Sequence, residues 1–432
     1  MLGSLNIGLL GLGTVGGGVF QLLQQNSDVI TQKLGRPLNI CRILERNMDR
    51  VRQLGVDPGL VTSDPGIVLN DPDIDIIIEV IGGVELAREF ILQALSNGKS
   101  VVTANKDLLA LHGKELFEAA AAHNCDLFFE ASVGGGIPII RPLKESLAAN
   151  RICQVMGIVN GTTNYILTKM SREGRDFDEV LKEAQELGYA ESDPSSDIEG
   201  DDAARKMAIL ASIAFGSRVT YPEVYREGIS RLSVQDIKYA SNLGYAVKLL
   251  GIAREDEQGV EVRVHPALLP LEHPLAAVND VFNAIFVEGD AVGDTMFYGR
   301  GAGAMPTASA IIGDVIEAAR NRQHRDCIRS SCTCFYNKPL KPMGEVISKY
   351  YLRLIVADRP GVLAAIAGVF GARGVSIASV IQERTIGDLA ELVLITHLVR
   401  EQNLQDALKA LADLPVVNEI ASMIRVEGGP SN

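Results

Sequence analysis

Cysteine is scarce in this chain. Its 432 residues contain six cysteines, at positions 41, 125, 153, 327, 332 and 334. So few cysteines, so unevenly spaced, do not make the disulfide framework of a secreted protein. We therefore expect a reducing, cytoplasmic compartment.

Basic clusters and long apolar runs are also missing. The net charge is -13, and without a basic face the chain has little to neutralise nucleic-acid phosphates. The first thirty residues are apolar, but no Lys or Arg precedes Lys33, so the charged start of a signal peptide is absent. The nearest approach to a membrane span, Ile74–Gly83, is interrupted by Asp75 and Glu79. We expect a protein that acts on small molecules, without a nucleic-acid or membrane partner.

Short apolar runs alternate with helical stretches up to about residue 135. This order predicts right-handed βαβ crossovers and a doubly wound parallel sheet, a Rossmann-like layout of the α/β class. Residues 26–37 are expected to form an inserted loop. The expected strands are Leu5–Leu10, Leu38–Leu44, Ile74–Val80, Ser100–Thr103 and Leu127–Ala131, with helices such as Val84–Asn97 and Gly113–His123 between them.

The periodicity changes after about residue 140. Helical patterns, a polar loop and strand-like runs indicate an α+β domain for substrate binding and dimerisation. We assign residues 1–135 to a cofactor domain, 136–320 to the substrate domain, 321–345 to a linker and 346–432 to a small third domain. The patterns are Phe177–Leu187, Ala190–Gly200, Asp201–Ala214, Val260–His265, Asn283–Val287, the glycine-rich turn Gly299–Gly303 and Thr307–Arg320.

The last eighty residues contain two strand–helix–strand units. Such a βαββαβ order makes a ferredoxin-like, four-stranded antiparallel sheet covered by two helices. The run YLRLIVADRPGVLAAIAGVF from Tyr351 resembles an ACT domain. The resemblance implies an effector bound near Asp358 and Gly361, where a helix N-terminus offers amide donors. We also expect a chain cut near residue 345 to stay folded and active without its regulation.

A GxGxxG loop lies between the first expected strand and a helix. Gly11 suits a tight turn, Gly13 lets a pyrophosphate approach the backbone, and Gly16 permits close packing of helix on strand. A plain glycine-rich turn is the alternative, and the strand–turn–helix context favours a dinucleotide. The residues expected to bind it are Gly11, Gly13, Thr14, Val15 and Gly16.

The end of the second strand carries both an acidic and a basic residue. Glu45 would bind the ribose hydroxyls of NAD, whereas Arg46 would bind the 2′-phosphate of NADP. The choice between the two cofactors stays open here, with Arg46 favouring NADP.

The segment Leu187–Lys206 holds the densest cluster of polar residues. Asp202 and Lys206 are four residues apart on an expected helix and share one face; a solvated charge run is the alternative. The pattern LGYAExDPxxDxxGxDAAxK, however, resembles the signature of homoserine dehydrogenases. Further motifs of that family follow its order at Thr103–Lys106, Glu130–Ile139, Gly157–Ile166 and Gly299–Gly303.

This resemblance implies an NAD(P)-dependent interconversion of aspartate 4-semialdehyde and homoserine, in the biosynthesis of threonine, methionine and isoleucine. It implies threonine as effector and a homodimer or homotetramer. Carried over by motif position, Lys206 donates the proton, Lys106 lies beside the nicotinamide and shares that role, and the absence of a His from the cluster fits lysine chemistry. The implied substrate-binding residues are Glu191, Asp202, Tyr189, Thr162 and Asp197, and the further cofactor-binding residues are Thr103, Lys106 and Gly303.

The glycine run after Glu130 has two interpretations. Glycine's conformational freedom allows a simple flexible strand exit, whereas the family resemblance implies a monovalent cation, usually sodium, held by backbone carbonyls and a carboxylate. Its ligands would be Glu130, Val133, Gly135 and Ile137. Zinc at Cys327, Cys332 and Cys334 is disfavoured because CxxC spacing is missing and only His324 is near.

Two other classes compete with this hypothesis. Dehydrogenases with ACT domains that act on 3-phosphoglycerate place the dinucleotide fold in mid-chain, and those that act on prephenate use a catalytic His, so neither fits. A non-catalytic amino-acid sensor is the alternative of a different class. Retention of Lys206, Asp202 and Lys106 together argues against it.

Overall fold

The computed structural model describes residues 4–324 and 332–428. In chain order the strands are β1 (Leu5–Leu10), β2 (Leu38–Leu44), β3 (Val61–Thr62), β4 (Ile76–Glu79), β5 (Ser100–Thr103), β6 (Leu127–Phe128), β7 (Ile152–Ile158), β8 (Tyr225–Arg226), β9 (Tyr245–Asp256), β10 (Gly259–Pro270), β11 (Phe282–Gly289), β12 (Gly293–Arg300), β13 (Ile347–Ala357), β14 (Ile377–Ile386), β15 (Leu389–Thr396), β16 (Val399–Arg400) and β17 (Val417–Val426). The helices are α1 (Thr14–Gln25), α2 (Ser27–Leu34), α3 (Met48–Gln53), α4 (Pro65–Leu69), α5 (Glu85–Ser96), α6 (Lys106–Ala122), α7 (Gly161–Glu173), α8 (Phe177–Glu186), α9 (Ser195–Ile198), α10 (Asp201–Ala214), α11 (Val234–Asn242), α12 (Ala304–His324), α13 (Val362–Ala372) and α14 (Glu401–Ala412).

The chain divides into two compact units, each built from separate segments. Unit 1 comprises Met1–Val155, Arg205–Val224 and Asn283–Asn337, and unit 2 comprises Met156–Ala204, Tyr225–Phe282 and Lys338–Asn432. In the ranges 4–324 and 332–428, no helix is long and apolar enough to cross a membrane.

Unit 1 is built on a six-stranded sheet in the order β3-β2-β1-β4-β5-β6. All of its strand pairs are parallel, which confirms the predicted Rossmann-like layout. β4 and β5 are buried along their whole length, as strands covered by helices on both faces must be. The strand order reverses between β1 and β4, the place where open α/β sheets bind ligands.

The last helix of unit 1, α12, covers one face of this sheet. Its apolar residues, including Ile311 and Val315, share a buried core with Ile7 of β1 and Val19 of α1. A side-chain carbon at Gly18 would lie 2.6 Å from the carbonyl oxygen of Ala304. Glycine at position 18 therefore allows α12 to begin directly against α1.

Two predictions in this region were wrong. Residues 26–37 contain a helix, α2, rather than a loop: Ile30 and Leu34 are buried one turn apart, and Gly35 ends the helix with φ +81°. Helix α6 begins at Lys106, well before Gly113, because the Asn105 side chain accepts a hydrogen bond from the Leu108 N–H and caps it there.

Unit 2 contains the strand order β7-β9-β10-β17-β13-β15-β14, with β7 contributing from residue 156 onward. The C-terminal strands β13, β14, β15 and β17 pair antiparallel, and α13 and α14 pack their apolar sides on this sheet. The predicted ferredoxin-like βαββαβ domain is confirmed.

This C-terminal domain shares its sheet with the strands before it. β17 runs parallel to β10, with Ala267 opposite Arg425 and Leu268 opposite Val426. Just past β17, the Glu427 carboxylate binds Arg263 of β10 at 2.7 Å, and both side chains are almost completely buried. A chain cut near residue 345 would lose β17 and Glu427, the partners of β10 and Arg263. The structure therefore argues against the expectation that the truncated chain stays folded and active.

Candidate active site

The glycine loop leaves room for a dinucleotide at the start of α1. Gly11 has φ +97°, and a side chain at Gly16 would lie 2.1 Å from the Gly11 carbonyl oxygen, so both positions require glycine. Around Gly13 there is open space. The N-terminus of α1 has no side-chain cap, and its free N–H groups fit a pyrophosphate.

Glu45 organises this loop from the end of β2. Its carboxylate accepts hydrogen bonds from the backbone N–H groups of Leu12 (2.9 Å), Arg46 (2.7 Å) and Asn47 (2.8 Å). Burial raises its pKa, but these hydrogen bonds outweigh burial and hold the pKa below its usual value. Both oxygens of Glu45 are therefore committed to the protein backbone.

Two arginines lie beside the same loop. Arg46 is exposed. Arg50, which the sequence reasoning missed, donates from Nε to the Leu12 carbonyl oxygen at 3.3 Å, and its guanidinium lies 3.0 Å from the position of a side-chain carbon at Gly17. The only signal in the sequence was its position on the first turn of α3.

The end of β5 is tied to β4 by a buried hydrogen-bond chain. The Thr103 hydroxyl donates to Glu79 at 2.6 Å and accepts from the Asn105 N–H at 3.0 Å. Burial raises the pKa of Glu79. These hydrogen bonds fix the turn that leads into α6, and Lys106 is the first residue of that helix.

An ion pair joins the two segments that carry the proposed catalytic lysines. Asp107, next to Lys106, and Arg205, next to Lys206, approach to 2.8 Å within unit 1. The Arg205 guanidinium also stacks on the Tyr221 ring, 4.5 Å from its centroid. The start of α6 is thereby held beside α10.

In unit 2, Asn160 brings two carboxylates together. Its Nδ2 donates to Asp197 at 2.7 Å and to Asp202 at 2.9 Å, while its Oδ1 accepts from the Thr163 N–H at the start of α7. Asn160 and Asp202 are buried. The family motif at Gly157–Ile166 contains Asn160, but the role of Asn160 was not predicted. Its position just before a helical run was the signal that could have indicated a role.

The remaining predicted pocket residues lie on the same unit. The Thr162 hydroxyl donates to the Tyr189 carbonyl oxygen at 2.7 Å, and the Tyr189 ring contacts the Tyr165 ring edge to face. The side chains of Tyr189 and Glu191 are exposed, so they are free to meet a ligand.

Glu130 has a backbone-binding role at the exit from the parallel sheet. Its Oε1 accepts from the N–H groups of Ile139 and Ile140, at 2.6 and 2.8 Å, and its Oε2 accepts from Arg141 at 2.8 Å. Between them, Gly134 and Gly135 have φ values of +70° and +54°. The irregular backbone there is buried at Val133, Gly135 and Ile137.

The other predicted binding positions lie at helix starts. Gly303 has φ +123° and immediately precedes α12. Gly361 has φ +90° and precedes α13 without a side-chain cap, and Asp358 is exposed three residues earlier. No group of three His, Cys, Asp or Glu side chains suited to a metal occurs in the part of the chain that the structure describes; Cys327 lies outside it.

Family models match most of the chain. Residues 11–130 match the homoserine dehydrogenase NAD-binding domain, residues 138–316 match homoserine dehydrogenase, and residues 350–416 match the ACT domain.

Individual proteins match over most of the chain. The chain is 46% identical to homoserine dehydrogenase of Bacillus subtilis, covering 98% of this chain and 99% of that one. The crystal structure of a homoserine dehydrogenase from Thiobacillus denitrificans aligns with a TM-score of 0.94 at 46% identity, covering 99% of both chains. A hyperthermophilic archaeal homoserine dehydrogenase in complex with NADPH aligns with a TM-score of 0.63 at 30% identity, over 74% of this chain and 98% of that one.

Proposed function

Because the chain belongs to the homoserine dehydrogenase family of NAD(P)-dependent oxidoreductases, we propose that it interconverts aspartate 4-semialdehyde and homoserine through Lys206 and Lys106. The observation that carries this proposal is the Asp107–Arg205 ion pair, which holds the two lysine-bearing segments side by side. The bound nicotinamide cofactor supplies or accepts the hydride.

The lysines act on the oxygen of the reacting carbon. Reducing the aldehyde places negative charge on that oxygen, and an ammonium group stabilises this charge and then delivers a proton. Lys206 is the proton donor, and Lys106, beside the nicotinamide, assists it. In the reverse direction the same groups receive the proton of the homoserine hydroxyl.

Asp202 and Asp197 recognise the polar end of the substrate. Both carboxylates share the Asn160 amide as a hydrogen-bond donor, and the negative charge of a carboxylate suits it to pair with an ammonium group. Glu191, Tyr189 and Thr162 complete the residues assigned to substrate binding.

NADP is the preferred cofactor in this proposal. Glu45 already accepts three backbone hydrogen bonds, so it is poorly placed to bind ribose hydroxyls as NAD requires. Arg46 and Arg50 supply cationic groups suited to a 2′-phosphate. Around the phosphates the assigned residues are Gly11, Gly13, Thr14, Val15 and Gly16, with Thr103 and Gly303 further along the cofactor.

A sodium ion fits the segment after Glu130 through backbone carbonyls. The proposed ligands are the carbonyls of Val133, Gly135 and Ile137, hard oxygen atoms on an irregular backbone. Glu130 retains lone-pair capacity beyond its three N–H partners. The ion would hold this turn in place and has no step in the reaction.

The C-terminal domain regulates the enzyme in this proposal, with threonine as the effector near Asp358 and Gly361. Apolar side chains on its outer elements, Leu363 of α13 and Val380 of β14, are 45% and 38% exposed, which favours a homodimer or homotetramer. The pathway assignment to threonine, methionine and isoleucine biosynthesis and the cytoplasmic location are part of the proposal.

A steady-state assay of the purified chain tests this function. We expect NADPH oxidation with aspartate semialdehyde, slower oxidation of NADH, and inhibition by threonine. Lys206→Ala should lower kcat roughly 100-fold or more, because proton delivery is lost, with the Kd for NADPH unchanged. Lys182→Ala, a change at an exposed residue of α8 to which no role is assigned, is the control. Near-normal turnover by Lys206→Ala would refute the catalytic role, and no turnover by the unmodified chain would favour a non-catalytic sensor.

A further inference from the structure

A pocket of about 480 Å³, counting solvent at its mouth, lies in unit 1. One wall is formed by α6, through residues such as Leu109 and Phe117, and another by α10, through residues such as Ile209. Cys332 and Cys334 line it together with two basic residues, Lys144 and Arg218. None of these polar groups has a part in the proposed reaction.

The two cysteines are in direct contact. The backbone N–H of Cys334 donates to the Cys332 sulfur at 3.4 Å, and the two thiols are within hydrogen-bonding distance of each other. A tight turn over residues 333–335, closed by the Phe335 N–H on the Thr333 carbonyl oxygen at 2.9 Å, fixes the backbone at Cys334. The Cys332 sulfur is therefore the acceptor of the Cys334 N–H, whereas the Cys334 thiol has the Ser212 carbonyl oxygen within its reach as well.

The surroundings favour a thiolate at Cys332. The Cys334 thiol, then the Cys334 N–H, and then the charges of Arg218 and Lys144 lower the pKa of Cys332 to about 6, against the effect of burial. The pKa of Cys334 is raised, since its proton is shared with the Cys332 sulfur and its thiol is partly buried. A thiolate in a partly exposed, electropositive site is the reactive form of cysteine.

We propose that Cys332 and Cys334 form a redox-reactive dithiol, in which Cys332 attacks a hydroperoxide and Cys334 resolves the product to an intramolecular disulfide. The Cys332 thiolate attacks one peroxide oxygen, so an S–O bond forms, the O–O bond breaks, and the leaving oxygen takes up a proton. The Cys334 sulfur then attacks the resulting sulfenic acid, the S–S bond forms, and the S–O bond breaks with release of water. In total, two thiols and hydrogen peroxide yield a disulfide and two waters.

We expect oxidation of Cys332 and Cys334 to disturb the two helices that carry the proposed catalytic lysines. Leu109 is three residues from Lys106 on α6, and Ile209 is three residues from Lys206 on α10. The Cys334 sulfur also lies 4.0 Å from the Ser212 carbonyl oxygen of α10. A disulfide moves this sulfur and removes its proton, so we expect lower activity that a thiol reductant restores. This effect on activity rests on the proposed function, whereas the thiol chemistry does not.

Alkylation of the full-length reduced protein tests the reactive thiolate. Trypsin, which does not cut before proline, releases Cys332 and Cys334 in the peptide SSCTCFYNKPLKPMGEVISK (residues 330–349) and Cys327 separately in DCIR (residues 326–329). We expect iodoacetamide to label Cys332 with a pH midpoint near 6, and Cys334→Ala, which removes the neighbouring side-chain donor, to raise that midpoint. Cys41 and Cys153, which are also half-buried, are the internal controls. Labelling of Cys332 at pH 7 no faster than that of these two would overturn the proposal.

Peroxide treatment tests the pair. The expected product is the 330–349 peptide lighter by two hydrogens, and in Cys334→Ser a sulfenic acid at Cys332 that a 1,3-dione traps. A cross-link between the 326–329 and 330–349 peptides would assign the disulfide to Cys327 and refute the pair. Peroxide should lower the activity of the unmodified enzyme, dithiothreitol should restore it, and Cys332→Ser should remain active and resistant. A protein that forms the disulfide but turns over no homoserine would instead sink the proposed function.

Discussion

A substitution at Glu427 tests whether the stability of the shared sheet of unit 2 depends on buried charge. Its carboxylate binds Arg263 at 2.7 Å and Arg254 at 3.1 Å, and it accepts a hydrogen bond from the Ser348 hydroxyl. Glu427→Gln keeps the size of the side chain and removes its charge. The guanidinium of Arg263, only 1% exposed, would then face an amide.

The expected loss of stability is about 3 kcal/mol. Burial raises the pKa of Glu427, but Arg263 and Arg254 outweigh it and lower the pKa to about 2, from 4.5 in the unfolded chain. A gap of about 2.5 pKa units corresponds to about 3 kcal/mol, at the lower end of the range for breaking a buried ion pair. Since the folded pKa is depressed, this contribution is present above pH 4.5 and is lost as the pH falls toward 2.

Amide hydrogen exchange of β10 and β17, together with urea denaturation followed by circular dichroism, measures the effect. The matched control is Glu419→Gln, at an exposed glutamate on β17, the strand that leads into Glu427, for which a change within about 0.5 kcal/mol is expected. If both variants lose stability equally, or if Glu427→Gln keeps the full loss of stability between pH 4.5 and 2, the reasoning about the buried pair is refuted.

Three further predictions concern the site and one buried lysine. Asn160→Ala should raise KM for homoserine about tenfold, because Asp197 and Asp202 lose their common donor; an unchanged kcat/KM would contradict the proposed recognition. Arg46→Ala should raise KM for NADPH far more than for NADH, and equal effects would remove Arg46 from the choice of cofactor. Burial lowers the pKa of Lys248 to about 8, so the unfolded chain binds more protons between pH 8 and 10.5 and stability rises there by about 3 kcal/mol; Lys248→Met should abolish this rise in urea midpoints, and an unaltered rise would show that another group causes it.

The local order of the fold was accessible from sequence because it follows from periodicity. β1, β2, β5 and α10 were predicted with the bounds observed, since apolar runs and glycine or polar boundaries are properties of neighbouring residues. Helix α2 was missed because its polar residues outnumber the buried Ile30 and Leu34.

The contacts that organise the site could not be predicted in the same way. Asn160 meets Asp197 and Asp202 from 37 and 42 residues away, and Arg263 meets Glu427 from 164 residues away. Sequence periodicity does not report such pairings. The assigned roles of Lys106, Lys206 and the cation ligands, and the division into domains at residues 135, 320 and 345, stay predictions.

Helix α12 has a consequence for how the chain is made. Its residues 308–319 fill the core of the parallel sheet whose strands end at Phe128, so about three quarters of the 432 residues must be synthesised before that core can close. During translation, domains fold mostly as they emerge, and exposed apolar surface invites aggregation. Until α12 has been synthesised, one face of the nascent parallel sheet stays uncovered on the ribosome. We expect chaperones to bind at this stage.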